Sequence, residues 1–221
     1  MKTRSRSEEE KVTNSFVQEK LSEVHTNIQF MKKKENKIRT MAITSANKGE
    51  GKTFFSSNFA QVYSEFKEKT LLVDTDFYSP KLSKQYKKIN ERGFSDLLIG
   101  EINLTEAVHE IEPYLDFLSI GTIPPNPVEL LKTHDITDVI REGLKHYEMI
   151  LFDCPPVNLF TNARLTAAAC DLSLLIVKKD STKEEELRGA KTLLTKANVD
   201  LVGVVLNQVN YKEKNYNYYK Y

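Results

Sequence analysis

The sequence predicts an open, mainly parallel α/β sheet with helices on both faces, and three observations carry that expectation. Short apolar runs rich in β-branched residues alternate with helix-length stretches along most of the 221 residues. Several runs are apolar throughout instead of alternating, as strands covered on both faces are. The connections between them are long enough for right-handed crossovers. Ligands of such a sheet bind at the carboxyl ends of its strands.

Residues 1–14 are polar and charged and are expected to form a mobile arm. From there to Met31, the apolar residues Val17, Leu21, Val24, Ile28 and Met31 recur at spacings of four and three, which predicts a helix with one apolar stripe. The basic run KKKENKIR (Lys32 to Arg39) reads as a solvated connector. The predicted strands are TMAIT (40–44), TLLVD (70–74), LDFLSI (115–120), MILFD (149–153), LSLLIV (172–177) and LVGVVLN (201–207). A domain over residues 15–209 is expected, closed by a disordered tail at 210–221. That tail, NYKEKNYNYYKY, carries five of the ten tyrosines: Tyr211, Tyr216, Tyr218, Tyr219 and Tyr221.

The chemistry concentrates after the first strand, in TSANKGEGKTFFSSNFA. Gly49, Glu50, Gly51, Lys52 and Thr53 stand between an apolar strand and a helix predicted to begin near Thr53. Glycines let the backbone curl so that amide hydrogens face phosphate oxygens, and the helix N-terminus adds partial positive charge. Lys52 is placed to reach the terminal phosphates, and the Thr53 hydroxyl to ligate Mg²⁺. The first glycine of the full phosphate-loop pattern falls at Ala46, so this match is incomplete. Three strand-ending carboxylates strengthen it. LLVDTD delivers Asp74 and Asp76, and MILFD delivers Asp153. Asp74 and Asp76, two apart, share a strand face, so one can hold metal while the other accepts a hydroxyl proton. Together these features predict a Mg·ATP or Mg·GTP site with Thr53, Asp74, Asp76 and Asp153 around the metal.

Other features set bounds. A net charge of +1 gives no global drive toward nucleic acid. Cys154 and Cys170 lie in apolar runs without metal-ligand spacing and read as small buried hydrophobes of a reducing compartment. The charged N-terminus has no signal-peptide core, and no apolar run approaches the ~20 residues that span a bilayer. The scattered His25, His109, His134 and His146 have no metal-ligand spacing. PPNP (Pro124 to Pro127) reads as a rigid loop and KKDSTKEEELRGAK as a solvent-facing helix.

TSANKGEGKT, LLVDTD and ILFDCPP resemble the Walker A, A′ and B motifs of bacterial tyrosine kinases, within the MinD/ParA-like P-loop NTPases. GFSDLLIGEINLTEAV, LSIGTIPPNPVELL, DLVGVVLNQV and the tyrosine-rich end resemble the same family, over about residues 15–221. The resemblance implies ATP and Mg²⁺ as cofactors and autophosphorylation of the tail tyrosines in trans. It implies catalytic roles for Lys52, Asp74 and Asp76, phosphate binding by residues 49–53, and an adenine contact from Asn207. It also implies a cytoplasmic protein held at the membrane by a transmembrane co-polymerase that activates it, a cognate tyrosine phosphatase, and control of capsule or exopolysaccharide synthesis and export.

The sequence departs from the family pattern at several places. Tyr78 stands where an arginine is usual, and Lys48 stands where a proline is usual. Asn162 replaces an aspartate in the loop after Walker B. In the N-terminal motif that joins subunits into a ring, Glu19 remains while Ser22 and His25 replace arginines, which weakens the expected self-association. Two other readings stay open on residues alone. One is a MinD/ParA-like switch ATPase, although its second lysine position is Asn47. The other is a nucleotide-binding pseudokinase that acts as a docking module.

Overall fold

The computed structural model describes residues 2–32, 38–199 and 201–209. The chain divides into two compact units. One runs from Ile38 to Gln208, and the other contains the N-terminal helix. In the latter, α1 (Lys2–Lys32) is a single helix that takes in residues 2–14, expected above as an arm. The arm expectation rested on the polar, charged composition of these residues, yet Lys, Arg and Glu are themselves good helix formers. Glu19, Ser22 and His25 follow one another at three-residue intervals on α1. The tail tyrosines, and most of the connector between α1 and the first strand, lie outside the described residues.

The main unit contains β1 (Thr40–Ser45), α2 (Lys52–Glu65), β2 (Thr70–Asp74), α3 (Lys81–Gln85), α4 (Phe94–Leu98), α5 (Leu104–Ala107), β3 (Val108–Glu112) and β4 (Leu115–Leu118). It continues with α6 (Pro127–Thr133), α7 (Ile136–Gly143), β5 (Met149–Asp153), α8 (Thr161–Ala168), β6 (Leu172–Lys178), α9 (Glu184–Lys196) and β7 (Leu201–Asn207). The strands form one sheet in the order β3-β4-β2-β5-β1-β6-β7. Every pairing is parallel except β3 with β4. The six predicted strands are all present. β3 was not foreseen. Its residues, VHEIE, mix two apolar with three polar side chains and are at most half-buried at a sheet edge, so the apolar signal is weak.

Side chains of β1, β2, β4 and β5 are buried on both sides of the sheet. α2 covers one face with Phe55, Phe59, Val62 and Tyr63, spaced as one helical stripe. Phe59 meets Phe55 at 5.0 Å and Tyr63 edge-on at 5.1 Å between ring centres. Ala42, Leu71, Val73, Ile150 and Phe152 point to the other face, where they join one core with residues of α4, α7, α8 and α9. Gly143 lets α7 lie close on that face, since a Cβ there meets Ile150 Cδ1 at 2.7 Å. Cys154 is buried and Cys170 half-buried, both as free thiols.

Two loop expectations sharpen. Pro127 opens α6 at its first position, capped by Asn126 Oδ1, which accepts from Glu129 N at 3.2 Å. Within KKDSTKEEELRGAK only the part from Glu184 is helical. Among the described residues, no helix is long and apolar enough to cross a membrane.

Candidate active site

Parallel pairing brings the loops after β1, β2 and β5 to one end of the sheet. β1 runs beside β5, and β5 beside β2 in a register that sets Asp74 directly opposite Asp153. The predicted strand-ending carboxylates are therefore neighbours, and the glycine loop leaves β1 next to them. The main chain welds these loops: Cys154 N donates to Ile43 O at 2.9 Å, Val157 N to Ser45 O at 2.9 Å, and Thr75 N to Asp153 O at 3.0 Å.

The loop turns into α2 through two residues with positive φ, Gly49 (81°) and Gly51 (91°). Gly51 is the N-cap of α2 and, among the described residues, no side chain caps that end. The first amides of the helix therefore have no side-chain acceptor, as an anion site requires. Asn207, at the end of β7, closes the other side. Its Nδ2 donates to Glu50 O at 2.9 Å and its Oδ1 accepts from Gln208 N at 2.9 Å. A Cβ at position 51 would fall 2.1 Å from Asn207 Nδ2. The side chain of Glu50 is buried and accepts from Asn47 N at 2.9 Å and from the Thr182 hydroxyl, so it pins the loop to the segment after β6.

Lys52 Nζ forms a buried ion pair with Asp76 Oδ2 at 3.0 Å. Thr53 Oγ1 donates to Asp153 Oδ2 at 2.8 Å, and Ser56 Oγ lies 3.0 Å from Asp153 Oδ1. Asp74 accepts from the Ser83 amide and hydroxyl, each at 2.9 Å, and from Asp76 N at 3.1 Å. Burial pushes Asp74 up to about 7, aided by the nearby charge of Asp153 and opposed by the Ser83 and Asp76 hydrogen bonds. Burial likewise raises Asp153, against the pull of Lys52, Thr53 and Ser56. For Lys52, burial acts to lower the pKa, but Asp153 and Asp76 outweigh it and the ammonium is held above its ordinary value. Three buried carboxylates thus face one cation.

The structure gathers Gly49, Glu50, Gly51, Lys52, Thr53, Asp74, Asp76, Asp153 and Asn207 into one site. Asn207 reaches the phosphate loop's own backbone. Ser56, Ser83 and Thr182 join the site without having been singled out. Ser56 sits one turn beyond Lys52 on α2, a spacing visible in the sequence. Ser83 and Thr182 arrive only through tertiary packing. Asn162, fully buried, directs Nδ2 toward Thr75 O at 3.4 Å. Tyr78 stacks on Phe160 with ring centres 3.9 Å apart and planes 17° apart, and Lys48 Nζ lies over the same Phe160 ring at 5.4 Å.

An AAA-domain family matches residues 38–209 of this chain. The tyrosine-protein kinase YwqD of Bacillus subtilis (strain 168) is 32% identical over 207 residues, spanning 93% of this chain and 87% of YwqD. The crystal structure of the chimerical protein CapA2B2 superposes with a TM-score of 0.81 at 30% identity, covering 87% of this chain and 85% of that one. The septum site-determining protein MinD of Pyrococcus horikoshii, complexed with Mg-ADP, has a TM-score of 0.65 at 24% identity, over 80% of this chain and 72% of that one. It shares the fold.

Proposed function

The chain belongs to the bacterial tyrosine-protein kinases, and from that premise we propose that it transfers the γ-phosphate of ATP to the tyrosines of its own C-terminal tail in a second copy. The observation that carries this reading is the Lys52–Asp76 pair at 3.0 Å, beside the Asp74–Asp153 register pair. A phosphate-binding lysine is parked on the carboxylate that a phosphoryl acceptor needs as its base.

The donor set fits Mg²⁺. Three buried carboxylates against one ammonium leave excess negative charge, with the Thr53 hydroxyl among them. Among the described residues, no three acidic, His or Cys side chains form a ready metal cage. Mg²⁺ needs none, since it binds through one or two carboxylates and keeps water and phosphate oxygens. Asp153 and Thr53 are its proposed first holders, with Asp74 nearby. When bound, Mg²⁺ would neutralise charge on the phosphates.

Lys52 would leave Asp76 for the terminal phosphates, and the first turn of α2 would hold them through backbone amides. Asp76, freed at Oδ2, would take the phenolic proton as the tyrosine oxygen bonds to the γ-phosphorus and the bond to the departing ADP breaks. Asp74 does not compete for that role, because Ser83 and the Asp76 amide already occupy its oxygens. Tyr211, Tyr216, Tyr218, Tyr219 and Tyr221 are the proposed acceptors. The wider assignment is a cytoplasmic kinase held at the membrane by a transmembrane activator, countered by a tyrosine phosphatase, and acting in capsule or exopolysaccharide export.

Incubation with Mg·ATP, alone and with the cytoplasmic segment of the activator, tests the reading by mass spectrometry for phosphotyrosine. Modified tail peptides are expected. ATP hydrolysis without phosphotyrosine under both conditions would replace it with a switch ATPase.

A further inference from the structure

Three loops around the site are tied together by one side-chain stack that the reading above does not use. Lys48 directly precedes Gly49, Phe160 is the N-cap residue of α8 in the loop after β5, and Tyr78 follows β2. Tyr78 and Phe160 are nearly parallel at 3.9 Å, and the Lys48 ammonium lies over Phe160 at 5.4 Å. Tyr78 sits in a tight turn closed by Ser79 N, which donates to Asp76 O at 3.1 Å and to Asp76 Oδ1 at 3.0 Å. The turn therefore holds the Tyr78 backbone close to the Asp76 carboxylate. Although stacked on Phe160, Tyr78 remains 44% exposed.

The sheet order says which ligand this surface faces. The phosphate loop leaves β1, with β6 and β7 on one side and β5 and β2 on the other. Asn207 and Thr182 close the loop from the β6–β7 side, and the carboxylates and the Tyr78–Phe160 pair stand on the β5–β2 side. A nucleotide whose phosphates lie on the loop and whose base extends toward Asn207 leaves the β5–β2 side for the acceptor. An exposed aromatic ring two residues from the candidate base is a surface on which a phenol ring stacks in offset fashion.

We propose that the Tyr78–Phe160 pair, braced by Lys48, is the acceptor subsite and receives a tyrosine ring from the tail of a second copy of this chain. The proposal rests on the kinase reading for the identity of the acceptor. Charge favours this occupant. The segment 210–221 carries three lysines against one glutamate. Around the stack the carboxylates of Asp74, Asp76 and Asp153 outnumber the ammonium groups of Lys48 and Lys52, a balance that a basic segment complements.

The test is binding, which needs no turnover. A fluorescently labelled peptide of residues 210–221 is titrated against the full chain saturated with Mg·ADP, and against Tyr78→Phe and Tyr78→Ala. ADP affinity is measured on all three. Tyr78→Ala is expected to weaken the peptide roughly five- to ten-fold, the range of one aromatic stack. Tyr78→Phe is expected to bind as the unaltered chain does, and ADP affinity to stay constant. Equal peptide binding by Tyr78→Ala, or no binding to the unaltered chain, would overturn the proposal. A parallel loss of ADP affinity would also overturn it, by assigning the stack to the nucleotide base. If binding depends on Tyr78 but Mg·ATP gives no phosphotyrosine, the subsite stands and the kinase reading falls.

Discussion

Replacing Lys52 by Met removes a cation from the midst of three buried carboxylates while keeping much of its volume. In the structure Lys52 is 8% exposed, Asp76 2%, and Asp74 and Asp153 fully buried. With the ammonium gone, Asp76 loses its 3.0 Å partner and Asp153 loses the charge that opposes its burial. Removing one member of a buried ion pair costs about 3–5 kcal/mol, because the remaining charge has neither water nor partner. The penalty depends on pH with a definite sign. Carboxylates whose folded pKa is raised hold protons that the unfolded chain has released, so their stability contribution is full at low pH and is lost as pH rises. Lys52→Met is therefore expected to lose about 3 kcal/mol or more at pH 7.5 in urea unfolding, and clearly less at pH 5.5. A loss below about 1 kcal/mol, or one equal at both pH values, would refute the idea that Lys52 is the electrostatic keystone of the site.

Two further substitutions follow from the same geometry. Asp74 is pushed up to about 7, so stability is lost as pH rises from the ordinary carboxylate range, about 4, through 7. Asp74→Asn is expected to flatten that slope and to raise stability at pH 8, read by thermal melting across pH, whereas an unchanged slope would contradict the burial argument. Gly51→Ala is strained twice, by φ of 91° and by a Cβ 2.1 Å from Asn207 Nδ2. It should destabilise the chain by about 1–3 kcal/mol and weaken nucleotide binding at least ten-fold by calorimetry, and unaltered affinity would remove the loop from the binding site.

The parts of the fold legible in the sequence were those written in consecutive residues. Strands such as MILFD announced themselves because burial on both faces demands an unbroken apolar run. β3 hid because an edge strand needs only half-buried residues, and VHEIE supplies two glutamates and a histidine. The start of α1 hid because helix formation by charged residues leaves no periodic mark. The site divided in the same way. Lys52 and Thr53 were legible because a phosphate loop needs fixed local spacings, and Asp74 and Asp153 because each ends an apolar strand. Ser83, nine residues beyond Asp74 on α3, matched no motif spacing, and Thr182 was not legible because its partner Glu50 is 132 residues away in sequence and only the sheet brings the two together. The stack of Tyr78 on Phe160 was beyond reach for that reason, although Tyr78 already stood out as a departure.

The central claim is tyrosine phosphorylation between copies of this chain. A heavy-isotope Lys52→Ala chain, mixed with the light unaltered chain and Mg·ATP, isolates that step by mass spectrometry. The account predicts phosphotyrosine on heavy peptides from residues 210–221, dependent on the light partner. Phosphotyrosine on the heavy chain incubated alone, or an unmodified heavy tail beside a phosphorylated light one, would contradict it.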